Sequence, residues 1–378
     1  MWKKVRLGDI CENLDAKRVP ITKAKRVPGK VPYYGASGIV DYVEGYIFNE
    51  NLLLVSEDGA NLLARTYPIA FSISGKTWVN NHAHVLRFKD ECTRRFIEYY
   101  LNSISLSKFV SGMAQPKLNQ KMLVSIPVSL PPLAEQQRIV AKLDAAFAEI
   151  DGAVEGIKSK EIEVQKLKTS LLSSSLGGNA VIWKNQKLND VIEKGETINP
   201  TTNPNAKFSY IDVSSVDRAS FCISKTQTLL GKDAPSRARR AVRTGDVLFA
   251  TIRPTLQRVA VVPERLNGEV CSTGYIVLRP KANMICSKFI FYYMLSEKVN
   301  AEMEGLQTGA SYPAVNDTQV KNLHISYPSL AEQQRIVSKL DAAFREIGNA
   351  NDSIIKSKAS YLELKSAILV QELQSEVA

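Results

Sequence analysis

At 378 residues the chain is long enough for two or three domains with sizeable cores. Its 49 Lys and Arg against 38 Asp and Glu leave a formal charge of +11, which favours a polyanionic partner such as nucleic acid or a membrane surface. Five scattered cysteines without a CxxC pair exclude a disulfide framework and read as free thiols. The opening MWKKVRLGDI lacks an apolar signal core and no run approaches about 18 apolar residues. A soluble, cytoplasmic protein is the expectation.

Residues 1–132 read as a first β-rich domain. Between Lys17 and Lys30 lie Lys17, Arg18, Lys23, Lys25, Arg26 and Lys30 with no acidic residue, followed by Tyr33, Tyr34, Gly35 and Gly38. A loop of that composition can reach phosphates and bases, although any one of its lysines could equally belong to a solvated loop. Strand-like runs follow at 46–48, 51–59, 68–74 and 78–88. In the last, WVNNHAHVLRF, strict alternation would put Val79, Ala83 and Val85 on one face and Asn80, His82 and His84 on the other. FIEYYLNSISL at 96–106 reads as a helix.

Residues 133–177 read as one long helix. From Leu143 its apolar seam runs through Phe147, Ile150, Val154, Ile157, Glu161, Val164, Leu167 and Leu171, about 3.5 residues per step, as in a left-handed coiled coil. Pro131-Pro132 marks its start and Gly177-Gly178 its stop.

Residues 178–329 restart the pattern, WKNQKLNDVI at 183–192 echoing the N-terminus. Strands are expected at 207–216, 246–254, 258–263 and 275–280, and a helix at 289–299. This second domain has its own basic cluster: Arg237, Arg239, Arg240 and Arg243, then Arg253, Gln257 and Arg258. Arginine offers bidentate donors to phosphate or guanine, and glutamine to adenine, though a single cluster of this kind is most often a solvated charge run.

Residues 330–378 are a second long helix, and here the repeat is plain. LAEQQRIVAKLDAAFAEI at 133–150 returns as LAEQQRIVSKLDAAFREI at 330–347, differing only at Ala141/Ser338 and Ala148/Arg345. At the same offset of 197 residues Gly112 answers Gly309, Pro116 answers Pro313 and Asn119 answers Asn316. Ser329 and Glu332 fit a capping box. The second seam is interrupted by Asn351 and Lys358, and Lys358 stands at the repeat position of Glu161. Two helices of about 45 residues, each roughly 65 Å long, would most simply pair with each other, antiparallel. The expected class is α+β: two β-rich α/β domains separated by two long helices, in a pseudo-two-fold tandem repeat.

Chemistry is harder to find. SISGKT at 72–77 lacks the first glycine of a phosphate-binding loop, since residue 70 is Ala, and reads as a turn between strands. His82 and His84 have no third ligand in reach of the sequence argument, so no metal site is expected. No GxGxxG opening a βαβ unit, GxSxG or nuclease-like carboxylate cluster is present.

A β-rich region ending in GMAQPKLNQKMLVSIPVSLPPLAEQQRIVAKLD, then a long helix, then the same arrangement with GASYPAVNDTQVKNLHISYPSLAEQQRIVSKLD, resembles the specificity subunit of a type I restriction-modification enzyme. GKTWVNNHAHVL and GDVLFATIRPTL are similar to phrases of that family's target recognition domains. The resemblance spans essentially the whole chain. It departs in having little beyond the second helix, which leaves open how the C-terminus contacts the first domain.

The resemblance implies a non-catalytic subunit in which each domain reads one half of a split, asymmetric double-stranded DNA target. The helices would set the spacer and dock two methyltransferase subunits, with restriction endonuclease/translocase subunits as further partners. S-adenosylmethionine and ATP would belong to those partners, and this chain would carry no cofactor. Candidate DNA contacts are Lys17, Arg18, Lys25, Arg26, Tyr33, Tyr34, Lys76, Asn80, Asn81 and His82 in the first domain. In the second they are Arg237, Arg239, Arg240, Arg253, Thr255, Gln257 and Arg258. The repeated Glu135, Gln136 and Arg138, with Glu332, Gln333 and Arg335, are candidates for partner docking or for fixing each helix to its own domain. The alternatives are a self-contained methyltransferase or nuclease, and a duplicated coiled-coil scaffold that binds DNA without sequence preference.

Overall fold

The computed structural model describes residues 2–112, 114–177, 183–309 and 311–374, excluding the side chain of Gln374. Gly178 of the expected helix stop and the last four residues of the 330–378 segment lie outside them. The chain forms two compact units, Met1–Gly156 with Ser357–Ala378, and Ile157–Lys356.

The first unit holds β1 (Lys3–Arg6), β2 (Glu12–Asn13), β3 (Pro28–Gly35), β4 (Gly38–Val43), β5 (Phe48–Asn49), β6 (Leu52–Ser56), β7 (Ala70–Ile73), β8 (Lys76–Val79), β9 (Ala83–Arg87) and β10 (Pro127–Leu130). Its helices are α1 (Asn61–Ala64), α2 (Glu91–Ser103), α3 (Gln120–Ser125) and the first part of α4 (Leu133–Leu176). The second unit holds β11 (Lys184–Lys187), β12 (Ile192–Glu193), β13 (Glu196–Thr197), β14 (Lys207–Ile211), β15 (Gln227–Leu230), β16 (Ala238–Ala241), β17 (Val247–Ala250), β18 (Val259–Val261), β19 (Val270–Ser272), β20 (Tyr275–Pro280) and β21 (His324–Tyr327). Its helices are α5 (Leu188–Val191), α6 (Ser287–Met294), α7 (Glu297–Leu306), α8 (Asp317–Lys321) and most of α9 (Leu330–Gln374).

The two units share one topology. The first has a sheet β2-β9-β6-β7 and a sheet β5-β8-β3-β4, and the second has β12-β20-β17-β18 and β16-β19-β14-β15, with β13 added beside β16. In each, one parallel pairing breaks an otherwise antiparallel pattern, β3 with β8 and β14 with β19. The central strands explain themselves by their alternation. Leu53 and Val55 of β6 enter one core cluster while Leu52 and Leu54 enter another, so both faces are covered. In β17, Val247 and Phe249 face one core and Leu248 and Ala250 the other.

The expected strand runs at 51–59, 68–74, 207–216, 246–254, 258–263 and 275–280 each contain a strand. SISGKT is a turn, with Gly75 at φ 69° between β7 and β8. Three readings are corrected. The stretch around Tyr33-Tyr34 is not a loop but the hairpin β3–β4, turned by Gly38 at φ 120°. WVNNHAHVLRF is not one alternating strand, because Asn81-His82 form a turn between β8 and β9, and His82 is exposed while His84 is buried. FIFYYMLSEKV is two helices, since the Ser296 side chain accepts from the Val299 N–H and starts α7 anew.

In the first unit α4 and the end of α9 run antiparallel, Lys142 pairing with Glu372 at 2.6 Å and Asp151 with Lys365 at 2.9 Å. Leu373 is fully buried in the same core as Ile139, Leu143 and Ile150, so the end of α9 completes the first unit. The seams follow the expected positions through Val164 and Tyr361, but Leu167 and Leu364 are 52% and 46% exposed. Lys168 and Lys365 are half-buried beside them instead, and the seam resumes at Leu171 and Ile368. Ser329 caps α9 through the Glu332 N–H at 3.4 Å, whereas the Glu332 carboxylate turns to Arg335. Half of the capping box forms.

Candidate nucleic-acid interface

In the first unit the turns at one end of β6 and β8 converge. The Glu57 N–H donates to the His82 carbonyl, Gly59 N–H to Pro116, Leu118 N–H to Glu57, and the Ser56 hydroxyl to the Ala36 carbonyl. The surface so assembled carries the exposed Asn81 and His82, the His82 Nδ1 lying 2.8 Å from Asp58. Beneath it lies a buried ion network. Arg18 bonds the Glu57 carboxylate at 2.6 Å and the Ala83 carbonyl at 2.8 Å, and pairs with Asp15 at 3.5 Å. His84 bridges Asp15 and the Leu118 carbonyl at 2.6 and 2.7 Å. Ligand atoms of Asp15, Glu57 and His84 lie within 4.8 Å of one another, yet Arg18 and Lys117 already meet the Glu57 carboxylate and the Val85 N–H and His84 meet Asp15. The network is structural. Burial works to raise both carboxyls, but the bonds from His84 to Asp15 and from Arg18 to Glu57 hold them below their ordinary values.

The basic loop ahead of β3 sorts its cations by type. Arg18 and Arg26 turn inward: Arg26 stacks over Tyr33 at 4.4 Å, bonds Asp41 at 2.9 Å and donates to the Ile21 carbonyl. Lys17, Lys23 and Lys25 stay exposed, as does Lys30 within β3 itself. The guanidinium fork can satisfy several acceptors at once, whereas the strongly hydrated ammonium is better left in water. Tyr33 itself is a core side chain, 1% exposed, its hydroxyl meeting the Ile21 backbone, and the Trp78 indole donates to the Val19 carbonyl. Tyr34 is half-buried, tilted against Phe71, and Lys76 is exposed over the Tyr46 ring. Asn80 is buried and caps the His82 N–H. Arg18, Tyr33 and Asn80 are therefore corrected from candidate DNA contacts to framework, and Arg26 is mostly framework.

The second unit builds the same end differently. The Thr251 N–H donates to the Gly274 carbonyl, Arg253 N–H to Pro313 and Val315 N–H to Thr251. Arg253 and Gln257 both lie in the left-handed region at φ 49°, flanking Pro254–Leu256. A non-glycine there carries of order 1–3 kcal/mol of strain and clusters at functional sites. The Arg253 guanidinium lies 5.2 Å from the Tyr312 ring centre and donates to the Ser311 carbonyl. Of the other candidates, Arg237 is exposed, Thr255 is half-buried and Arg239 is held to its neighbour's carbonyl. Arg240 is locked in a two-point pair with Asp317, and Gln257 donates to the Leu295 carbonyl. Arg258 is half-buried, with its Nε meeting no hydrogen-bond partner among the described residues. Both Arg240 and Gln257 are half-buried and engaged by these bonds within the domain.

Sequence reasoning passed over two residues. The repeated Gly112/Gly309, Pro116/Pro313 and Asn119/Asn316 form one device: a loop closed by a bridge, Ser111 to Lys117 and Thr308 to Ala314, ahead of an Asn-capped helix. Both glycines have positive φ, and a Cβ on Gly112 would meet the Gln115 carbonyl at 2.6 Å. The tips this frame presents are Gln115 and Tyr312, which answer each other at the same offset of 197. The signal was in the sequence as a variable tip inside a constant frame.

A model of the type I restriction modification DNA specificity domain matches residues 1–163 and again 181–356. The chain belongs to this family. It is 28% identical over 357 residues to a putative type I restriction enzyme specificity subunit of Haemophilus influenzae, covering 90% of this chain and 86% of that one. It is 22% identical to the type I restriction enzyme MjaVIII specificity subunit of Methanocaldococcus jannaschii, over 97% of this chain and 91% of that one. A crystal structure of the HsdS subunit from Thermoanaerobacter tengcongensis is 39% identical over 44% of this chain and 43% of that one, with a TM-score of 0.42. No helix among the described residues is long and apolar enough to cross a membrane.

In this specificity-family chain the duplicated helix block fastens each helix to its own domain. Asp144 accepts bonds from Arg95 and the Tyr99 hydroxyl, and Asp341 from Lys288 and the Tyr292 hydroxyl at 2.6 Å each. Burial and these carboxylates push both tyrosine hydroxyls far up, so they remain donors. Phe147 packs edge-on against Tyr99 and Phe344 against Tyr292. Gln136 and Gln333 are buried and donate back to the Pro131 and Pro328 carbonyls, the second of the two roles expected for them, fixing each helix to its own domain. Glu135 with Arg138 and Glu332 with Arg335 form two-point pairs on the surface of α4 and α9.

Proposed function

We propose that this chain is the DNA sequence-specificity subunit of a type I restriction-modification complex. Each domain reads one half of a split, asymmetric duplex target, and α4 and α9 set the spacer and dock modification subunits. The observation that carries this reading is the pairing of one topology and one set of framework residues with unlike surface residues. Agreement in the frame suits two domains that serve the same partner, and difference at the tips suits two domains that read different bases. The repeated Glu135–Arg138 and Glu332–Arg335 pairs, each with an exposed arginine, are placed where a partner could meet both helices alike. Methyl transfer, with S-adenosylmethionine, and any ATP-driven cleavage reside in partner subunits, and the complex works in the cytoplasm.

Adenine-methylation mapping of DNA from cells expressing this chain with its modification subunit tests the reading. Two short motifs at a fixed unspecified spacing support it. One heptad inserted into α4, about 10 Å of helix, should lengthen that spacing and leave both motifs intact. Salt-sensitive DNA binding without any sequence preference would instead favour a scaffold.

A further inference from the structure

We propose that Arg253 and Tyr312 together form a base-reading element of the second domain, and that Gln115 fills the same slot in the first. The inference rests on the specificity-subunit reading and adds the residues that do the discriminating. Three observations meet at this place. First, the slot is built the same way twice, with the backbone N–H of Gly59 or Arg253 donating to the carbonyl of Pro116 or Pro313 at 3.0 and 2.7 Å. The frame glycine, proline and asparagine are identical and the bridge is made at the same two positions, Ser111–Lys117 and Thr308–Ala314, while the residues displayed, Gly59 with Gln115 and Arg253 with Tyr312, differ.

Second, Tyr312 is 72% exposed, which no core-packing role explains. Its ring is held in place by the Arg253 guanidinium and by a loop closed through Thr308 and Ala314. An exposed aromatic face beside a guanidinium can pack on a base or a thymine methyl while the N–H fork reaches guanine or a phosphate. Third, Arg253 and Gln257 hold left-handed backbone on either side of this turn, so the chain accepts strain to aim Arg253 at Tyr312. At the first-domain slot Gly59, at φ 109°, takes such a conformation freely, and Gln115 offers amide donors and acceptors suited to adenine instead.

The experiment is methylation mapping of the assembled complex carrying Tyr312→Ala, Arg253→Ala, Tyr312→Gln or Gln115→Ala, with melting curves for each. The first three should relax or change base preference in one half-site by about 10-fold, and Gln115→Ala should do so in the other half only. If stably folded variants leave both halves as strict as the unaltered chain, the proposal is overturned while the specificity-subunit reading stands. Uniform weakening on every sequence would make these residues phosphate contacts and would also overturn it. If the unaltered chain directs no split motif, both readings fall together.

Discussion

The Lys365 ammonium lies 4.6 Å from the centre of the Phe147 ring, and the repeat-equivalent Lys168 lies 5.9 Å from Phe344 and 4.2 Å from Phe221. Each long helix thus delivers a lysine to the aromatic residue of the other helix's repeated block. Lys365→Ala, which removes this contact and the ion pair with Asp151, should lower the stability of the first unit by about 0.5–1.5 kcal/mol. Phe147→Ala, which also strips the edge contact with Tyr99, should cost about 3 kcal/mol. Urea unfolding of the single and double variants measures both, and strict additivity would dismiss the pairing.

Gln136 and Gln333 occupy identical repeat positions but do not carry equal weight. Gln333 donates to the Pro328 and Met284 carbonyls and accepts from the Cys286 N–H, while Gln136 donates to Pro131 and its Oε1 has no partner among the described residues. Replacing a buried bonded amide by alanine costs about 1–3 kcal/mol. Gln333→Ala should fall at the upper end and Gln136→Ala at the lower, and equal losses in denaturant titrations would contradict this ordering.

Neighbouring cations in the basic loop should separate cleanly into two classes. Arg18→Ala removes one buried partner from Glu57, which keeps Lys117, and one from Asp15, which keeps His84 and the Val85 N–H, and should destabilise the first unit by about 1–3 kcal/mol. Lys17→Ala, Lys25→Ala and Lys76→Ala should leave stability within about 0.5 kcal/mol. If they meet phosphate, each should reduce the salt slope of DNA binding by about one. Fluorescence titrations at several salt concentrations, beside melting curves, read out both effects.

Acid should attack the first unit through the same network. Burial disfavours the charged forms of Asp15 and Glu57, yet hydrogen bonds and nearby positive charge outweigh it and leave both folded-state values below the ordinary 3.8 and 4.5. A depressed carboxylate contributes stability that is fully present above its unfolded value and is lost as pH falls through its folded one. Stability from this source should therefore hold above about pH 5 and decline below about pH 4. Asp15→Asn should lower stability at pH 7 and flatten that decline. An unchanged acid profile would show that the network does not contribute.

The sequence by itself determined the duplication, the two long helices, the strand-forming runs and the places where cations gather. These are local matters: a period of two or about 3.5, and identity at a fixed offset, are legible wherever the burial pattern repeats. Tertiary structure alone decided which side chains in those places face outward. Arg18 and Lys17 are adjacent in sequence, and only Glu57 and Ala83, brought in by β6 and β9, draw the arginine inward. Leu167 looked like a seam residue, yet it is exposed and its neighbour Lys168 turns to Phe344. Gln115 and Tyr312 looked like ordinary loop residues because the frame that lifts them depends on bonds from Gly59 and Arg253, more than fifty residues away. Partners set by non-local pairing leave no periodic trace in the chain, so the frame could be read from the sequence and the direction of its side chains could not.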